Sequence, residues 1–268
     1  MYKLRNWINI DKLNWEELSL NPNAIDLLTQ NQDKINWRNL SKNPSAIHLI
    51  EQNLDKIDWN FLSANINALH ILEQNIDKIN WILLSKNPNA VYLLEKYPEN
   101  IVWEVISLNT GAIRLLEQNF EKINWTLLSD NKNAIQLLEK NFEKINWIWL
   151  TSNPNAIHLL EKYPEKIDLQ ILCQNFNGID LLKKYMVGIN LISLDWHELS
   201  CNPCAIELLQ KYPERIEWDY FSQNPNIFEI NYDYLKDIKK NIHEELIMHI
   251  WNPNKLMLLL QNNIDIDI

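Results

Sequence analysis

The chain has 268 residues, of which 46% are hydrophobic and 22% charged, a composition that excludes a disordered chain. Its 25 Lys and Arg against 35 Asp and Glu give a formal net charge of −10, the wrong sign for a protein that neutralises nucleic-acid phosphates. The three glycines exclude a glycine-rich phosphate loop, and no apolar run approaches the roughly 20 residues of a membrane span.

The cysteine content and the first residues indicate a reducing compartment. Three cysteines are too few, and odd in number, for a disulfide framework. The opening MYKLRNWINI lacks the apolar core of a signal peptide. We therefore expect a cytosol-like location.

Tryptophan recurs with a fixed period along most of the chain. Seven copies follow one another at intervals of 22 residues: Trp15, Trp37, Trp59, Trp81, Trp103, Trp125 and Trp147. Leu169 takes the next place, five extra residues intervene, and Trp196 and Trp218 resume the step. With Trp as position 1, ten copies of WxxLSxNPNAIxLLExNxDKIN can be aligned, and every copy has Asn at position 7. The chain is a tandem repeat array.

The residues before the first Trp match the end of a repeat. Asp11, Lys12, Leu13 and Asn14 correspond to positions 19 to 22. An array needs end units that tolerate solvent, so residues 1–14 are predicted to form an N-terminal cap.

Each repeat is predicted to hold two short helices. Asn or Asp at position 22 can cap a first helix that begins at the Trp, and the Ile before it can form a hydrophobic staple with the Leu at position 4. Asn at position 7 and Pro at position 8 are typical of the start of a second helix. That helix carries an apolar stripe of Ala, Ile and two Leu at positions 10, 11, 13 and 14, and should end near position 17.

Helices this short must stack to bury their stripes, so the predicted fold is all-α, an α-solenoid superhelix of ten two-helix repeats over residues 15–226. At 8–10 Å between stacked helices it would be about 90 Å long.

The pattern is broken in two places. Over residues 169–195, Leu169 replaces Trp, Gly178 replaces Ala, Lys183 replaces Glu, and LISLD is inserted at 191–195. A drifted unit that bends the superhelix is the favoured interpretation, and a hinge or docking bulge is the alternative. Residues 227–268 leave the consensus and are predicted to form a helical C-terminal cap.

The tandem LSxNPNAIxLLExNxDKINW units, ending in NPNIFEINYDYLK, resemble repeat proteins encoded by giant nucleocytoplasmic large DNA viruses. The resemblance covers essentially the whole chain and carries no catalytic residue. It implies a viral source and a role in host interaction or in the virion. The NPN helix start also resembles the leucine-rich-repeat variant, whose repeat is slightly longer, which implies that the short first helix could be largely 3₁₀.

Three recurring columns have a structural and a chemical interpretation, and the structural one is favoured for each. Trp at position 1 is expected to fill the core rather than form an aromatic ladder for ligands. Asn at position 7 is expected to cap a helix rather than line a polar track. Glu at 15 with Asp or Glu at 19 and Lys at 20, as in Glu51, Asp55 and Lys56, reads as a solvated charge ladder rather than acid–base pairs.

Histidine and cysteine provide one candidate metal site. His48, His70 and His158 occupy position 12 of different repeats, too far apart to share a metal, and are read as surface residues. Cys173, His197, Cys201 and Cys204 could be brought together by stacking and would then offer a zinc ligand set. A single CxxC is a weak signal, so incidental reduced cysteines are favoured over a zinc site and over a redox switch, and no metal or other cofactor is predicted.

Two columns are candidates for a binding surface. Position 12 points away from the apolar stripe and differs in almost every repeat: Asp26, His48, His70, Tyr92, Arg114, Gln136, His158, Asp180, Glu207 and Glu229. Position 3 becomes apolar in the middle of the array: Phe61, Leu83, Val105, Leu127, Trp149 and Ile171. The second column is read as contact between adjacent first helices or as an apolar groove. The predicted anchors for a partner are His70, Tyr92, Arg114 and Trp149, because Tyr, Trp and Arg dominate interface energetics.

The function expected from these observations is a non-enzymatic scaffold for protein–protein interaction, with no nucleic-acid, membrane or small-molecule partner. The sequence holds no nucleophile–base or paired-acid constellation. A structural component of a virion or other assembly is the alternative. The expected location is the cytoplasm of the infected host cell, or the virion.

Overall fold

A computed structural model describes the backbone of residues 2–186 and 194–250 and the side chains of residues 2–186, 194–240 and 242. The described chain is an all-α solenoid of ten repeats, which confirms the predicted fold class. It divides into two compact units. Residues 6–227 hold the repeats, and a short sheet with the helix that follows it belongs to the second unit.

The described residues contain nineteen α-helices, most of them alternating between a first helix that begins at position 1 and a second that begins at position 11. Their bounds are α1 Trp15–Leu18, α2 Ile25–Gln30, α3 Trp37–Lys42, α4 Ile47–Glu51, α5 Trp59–Ser63, α6 Leu69–Glu73, α7 Trp81–Lys86, α8 Val91–Lys96, α9 Ile113–Gln118, α10 Trp125–Asp130, α11 Ile135–Lys140, α12 Trp147–Ser152, α13 Ile157–Lys162, α14 Leu169–Leu172, α15 Ile179–Met186, α16 Trp196–Cys201, α17 Ile206–Lys211, α18 Trp218–Gln223 and α19 Tyr232–Ile250.

Short 3₁₀ turns alternate with the α-helices, and most of them lie directly before or after a second helix. They are Ile10–Lys12, Gln32–Lys34, Pro44–Ala46, Ile76–Lys78, Pro88–Ala90, Pro98–Asn100, Ile106–Leu108, Phe120–Lys122, Phe142–Lys144, Pro164–Lys166, Pro203–Ala205, Pro213–Arg215 and Pro225–Ile227.

The first helices begin where the cap residues place them, and most are α rather than 3₁₀. The Asn36 side chain accepts a hydrogen bond from the Asn39 backbone N–H at 3.0 Å, as an N-cap does. The residue before Trp103 of repeat five is Val102, at position 22 of repeat four, which offers no such acceptor. There a 3₁₀ helix, Ile106–Leu108, replaces the first α-helix.

The second helices are also capped as predicted. The Asn87 side-chain oxygen accepts from the Asn89 backbone N–H at 3.1 Å. Pro88–Ala90 then forms a 3₁₀ turn, so the α-helix proper begins at position 11. The core lies between the two helices and holds, for example, Leu84 and Leu94 with no exposed surface.

The position-7 asparagines have a second role that capping does not require. Each is buried, and each donates both side-chain N–H groups to the preceding repeat. Asn65 Nδ2, for example, lies 2.9 Å from the backbone oxygens of Ser41 and Asn43. A ladder of buried hydrogen bonds therefore runs from repeat to repeat.

Buried hydroxyls at position 5 form a second link between neighbours. Ser63 Oγ donates to the Trp59 backbone oxygen at 2.9 Å and accepts from the Asn80 backbone N–H at 2.9 Å. The same side chain thus stabilises its own first helix and holds the start of the next one.

Within residues 6–227 the solenoid closes on itself. Asn21 Nδ2 donates to the backbone oxygens of Ser222 at 3.1 Å and Asn224 at 2.8 Å, and Asn23 Nδ2 donates to that of Pro225 at 2.9 Å. These bonds repeat those between consecutive repeats, and α1 packs on α18 as α3 packs on α5. Repeats one and ten are therefore neighbours, and the expectation of an open array about 90 Å long is wrong.

The residues before the first repeat complete the tenth one. The Asn14 backbone N–H donates to Ser222 Oγ at 2.8 Å, the bond that position 22 makes elsewhere. Lys12 Nζ lies 4.7 Å from the centroid of the Trp218 ring, as Lys34 lies over Trp15. Residues 9–14 thus occupy the place of the missing end of repeat ten, whereas we expected residues 1–14 to cap a free end.

The second unit contains a two-stranded antiparallel sheet. Strand β1, Tyr2–Leu4, pairs with β2, Phe228–Ile230, in the register Tyr2 with Ile230. Helix α19 follows. The predicted C-terminal cap over 227–268 thus begins with a strand and continues as a helix to Ile250, and its last residues lie outside the described ones.

Most of the LISLD insertion also lies outside the described residues. The ladder continues across it, because Asn202 Nδ2 donates to the backbone oxygens of Cys173 at 2.9 Å and Asn175 at 3.3 Å. Repeats eight and nine are therefore joined like the others.

Candidate functional site

The column at position 12 lies on the second helices and points to solvent. Its side chains are exposed in repeats one to nine, while Glu229 in the tenth is half-buried and pairs with Lys3 and Arg5. His70, Tyr92 and Arg114 therefore occupy equivalent exposed places in three consecutive repeats. We name this exposed column, from Asp26 in repeat one to Glu207 in repeat nine, the outward column.

Hydrogen bonds between repeats occupy part of the outward column. His70 Nε2 lies 2.9 Å from Glu51 Oε1 of the preceding repeat, and His158 Nε2 lies 3.0 Å from Glu139 Oε1. Position 12 of one repeat therefore adjoins position 15 of the one before. These side chains thus link neighbouring repeats three and two, and seven and six, on the exposed surface.

Tyr92 and Arg114 differ from the histidines. Tyr92 is 48% exposed, and the described residues provide neither a ring contact for it nor a carboxylate within 4.0 Å of Arg114. A phenol and a guanidinium in adjacent repeats are thus available for an outside partner. His70, beside them, carries a neighbouring carboxylate that could orient it.

Trp149 does not lie in the outward column. It belongs to α12, a first helix, and is 42% exposed. The other apolar residues of position 3 are half-buried between first helices that pack on one another, as α10 does on α12. The structure therefore brings His70, Tyr92 and Arg114 together and places Trp149 in the other helix layer.

The tryptophans at position 1 are not buried as fully as we expected for core residues. All are half-buried except Trp196, which is 7% exposed. In several repeats the Lys at position 20 covers the ring, as Lys122 does with Nζ 4.1 Å from the Trp103 centroid. The tryptophans of position 1 therefore lie at the boundary between core and solvent, where cation–π contacts stabilise them.

The lysines of the expected charge ladder stack on aromatic rings. Lys56 Nζ lies 4.9 Å from the Trp37 centroid, and the described residues place no carboxylate within 4.0 Å of it. Glu51 instead faces His70. The ladder is solvated, but its lysine ammonium groups lie over tryptophan rings instead of pairing with neighbouring carboxylates.

The four candidate zinc ligands are directed to different partners. Cys173 replaces the position-5 serine and donates to the Leu169 backbone oxygen at 3.3 Å, whereas Cys201 Sγ lies 3.5 Å from the Tyr220 backbone oxygen. Cys204 is exposed, and His197 packs edge-on against Tyr220. No group of three metal-ligating side chains occurs among the described residues.

Burial is the main cause of the raised pKa values of the two less exposed thiols. It raises the pKa of Cys173 to about 11, although a backbone hydrogen bond with Asp195 opposes the rise. It also raises the pKa of Cys201 to about 12, and the carboxylates of Glu198 and Glu17 act in the same direction. In the metal-free chain both therefore favour the thiol over the thiolate at neutral pH.

Comparison with family models, with curated proteins and with solved structures gives no match. Among the described residues, no helix combines the length and apolar character needed to cross a bilayer. The assignment of a function thus depends on the geometry of the chain itself.

Proposed function

We propose that this chain is a non-enzymatic scaffold that binds a protein partner through the middle of the outward column. The observation that carries the proposal is the contrast between Tyr92 and Arg114 and the rest of the repeat. Asn at 7, Ser at 5, Ile at 21 and Lys at 20 all have partners within the fold. Position 12 is exposed and differs from repeat to repeat.

Tyrosine and arginine suit this role. Both offer a large contact area together with polar groups, and both are enriched among residues that dominate binding energy. The closed ladder holds repeats four and five in a fixed relation, so a partner that contacts both would not have to order them first. His70 extends the same patch by one repeat.

The resemblance to viral repeat proteins supports a host protein as the partner and the cytoplasm of the infected cell, or the virion, as the location. A structural role in a virion is the alternative. An end-to-end assembly would require free terminal repeats, and repeats one and ten are already paired with each other. We therefore favour the scaffold that binds a partner.

The test is affinity capture with a paired variant and a matched control. Purified chain is incubated with extract from the host cell, and captured proteins are quantified by mass spectrometry. Arg114→Glu with Tyr92→Ala should abolish capture of specific partners while leaving the melting temperature nearly unchanged. Lys140→Glu with Gln136→Ala makes a comparable change on the same face one repeat further along and should retain capture. Equal capture by both variants would refute this placement of the site.

A further inference from the structure

A cavity of about 460 Å³ is lined by residues of repeats five to nine, none of which belongs to the outward column. Its walls come mainly from positions 6 and 8, including Asp130 and Lys132 of repeat six and Phe176 of repeat eight. Since one cavity contacts positions 6 and 8 in repeats five to eight and positions 3 and 6 in repeat nine, this face is concave. The volume falls within the range of ligand-binding clefts, about 300–1,000 Å³.

The sequence departs from its own repeat at this cavity. Position 8 is Pro in six repeats, where it suits the start of a helix. The four exceptions are Ile66, Thr110, Lys132 and Phe176, and the last three all line the cavity. Repeats five, six and eight thus lack the proline that favours the helix start. In its place they carry a hydroxyl, an ammonium group and an aromatic ring on one concave surface.

The side chains of the cavity leave two opposite charges available. Lys132 is exposed, and the described part of the chain sets no carboxylate within 4.0 Å of it. Asp130, beside it, accepts a hydrogen bond of 2.5 Å from Ser152 Oγ. In repeat nine the half-buried Glu198 has a raised pKa, because of burial first and of Asp195 second, and no Lys or Arg of the described chain pairs with it.

Phe176 supplies an apolar surface between these charges. It is 51% exposed, a high fraction for a phenylalanine in a folded chain. It belongs to repeat eight, between Lys132 in repeat six and Glu198 in repeat nine. The order along the cavity is therefore cation, exposed ring, carboxylate.

The separation of the charges limits the length of the ligand. Lys132 and Glu198 are three repeats apart, and packed helices lie about 8–10 Å from one another, so the backbones are separated by at most about 30 Å along the ring. An extended chain advances about 3.3 Å per residue, so a segment of up to about nine residues would span them.

We propose that this cavity binds an extended peptide segment that places an acidic residue at Lys132, an apolar or aromatic side chain on Phe176 and a basic residue at Glu198. The three contacts fix the register of the peptide. The surface is separate from the outward column, so this inference and the proposed function can fail independently of each other.

The probe is a phage-displayed library of random nine-residue peptides, selected on the immobilised full chain. Enriched peptides are synthesised with blocked ends and a fluorescent label, and binding is measured by anisotropy. We expect an acidic and a basic residue near opposite ends, with an apolar residue between them. Lys132→Glu should weaken binding by about tenfold or more, and replacing the acidic residue of the peptide with Lys should restore it.

Matched variants distinguish binding at the cavity from nonspecific effects of changing a charge or an apolar side chain. Lys86→Glu reverses a charge at position 6 of repeat four, and Ile66→Ala removes an exposed apolar side chain at position 8 of repeat three. Both should bind like the parent chain, whereas Phe176→Ala should bind weakly. Arg114→Glu with Tyr92→Ala should also leave peptide binding unchanged, and melting curves will show whether each variant is folded.

Several results would overturn the proposal. These are a selection that enriches no peptide, an equal loss of affinity in Lys86→Glu and Lys132→Glu, and a failure of the charge exchange to restore binding. If Lys132→Glu unfolds, Lys132→Gln replaces it with the same expected direction. If only the Tyr92 and Arg114 variant lost peptide binding, the peptide would be shown to bind the outward column instead of the cavity.

Discussion

The side-chain amide of Asn21 donates to the backbone oxygen of Asn224 at 2.8 Å and joins the first repeat to the tenth. The equivalent bond inside the array, from Asn109 to Asn87, is also 2.8 Å long. The two ends of the repeat array thus meet at a junction of the same kind as those within it.

The closing junction should therefore be as important to stability as an internal one. Asn21→Ala and Asn109→Ala each remove a cap and two buried interrepeat hydrogen bonds, so each should lower the free energy of unfolding by about 2–4 kcal/mol. Chemical denaturation of both variants checks this. In an open array Asn21 would lie at a free end, and its replacement would cost far less than that of Asn109.

Hydrogen exchange offers an independent test of closure. The Asn14 amide donates to Ser222 Oγ, and the Asn36 amide donates to Ser19 Oγ. Both amides should show comparable protection in native-state exchange. Rapid exchange at Asn14 beside a protected Asn36 would mean that the ring is open in solution.

At position 7, a buried carboxylate should destabilise the fold more than the loss of the side chain does. Asn87→Asp retains the acceptor that caps the second helix but places a charge where Nδ2 now donates to Ser63 O at 3.2 Å and Asn65 O at 3.1 Å. We expect a larger loss of stability at pH 7 than the 2–4 kcal/mol or so for Asn87→Ala. Asn89→Ala, which removes one exposed bond to Ile66 O, is the control and should cost about 1 kcal/mol or less.

Because the tryptophans at position 1 are only half-buried, replacing one should cost a moderate part of the free energy of unfolding. A Trp buries roughly 150–250 Å² when fully enclosed, so a half-buried ring corresponds to about 2–3 kcal/mol at about 25 cal/mol per Å². Trp81→Ala should therefore destabilise the chain by that amount, less than the 3–5 kcal/mol or so of a core tryptophan. Its ring contacts Tyr97 at 5.7 Å, so Tyr97→Ala should show a loss that is not additive with it.

The closing junction should also respond to pH. Burial, and then the neighbouring Glu16 and Asp219, raise the pKa of Glu17, while Gln223 opposes the rise. A raised carboxyl pKa means that the folded chain holds the proton more tightly, so this stabilisation is present at acidic pH and is lost as pH rises above about 4.5 through the folded pKa. Glu17→Gln should therefore stabilise the chain at pH 7 and flatten this part of the stability curve. The exposed Glu117→Gln is the control, and a loss of stability in Glu17→Gln would contradict the assignment.

The cysteines should behave as separate thiols. Iodoacetamide at pH 8 should modify the exposed Cys204 well before Cys173, whose pKa of about 11 leaves little thiolate. Cys173→Ser should fold normally, because serine occupies this place in most other repeats. Purified chain should contain no stoichiometric zinc by elemental analysis. About one zinc per chain, lost in Cys201→Ser with Cys204→Ser, would restore the ligand set that the sequence suggests.

The local features of the repeat were predictable because each depends on residues a few places apart. The Asn36 cap and the burial of Ile35 and Leu40 at the staple positions are all encoded within one helix start. Closure was not predictable in this way. It depends on the angle between stacked repeats, and small errors in that angle add up over ten of them. The match of Asp11 to Asn14 with positions 19 to 22 is compatible with both a cap and the completion of repeat ten.

One signal of the ladder was present in the sequence. Position 22 accepts either Asn or Asp, as in Asn80 and Asp58, because only an oxygen is needed for the cap. Position 7 is Asn in all ten copies, although Asp and Ser cap equally well. The absence of those alternatives indicates that the N–H groups are used as well. The exposed state of Trp149 and the meeting of Lys132 and Phe176 at one cavity depend on packing between repeats and have no comparable signal.

Closure fixes the copy number of the repeat. An open solenoid can gain or lose a unit with a change only at its end, whereas a ring of ten requires each step to turn by roughly 36°. A duplicated repeat would leave either a gap or a strained seam unless every junction changed its angle together. A change that keeps the ring closed is thus a substitution at a position such as 8 or 12, where the backbone can stay as it is, rather than a change in repeat number.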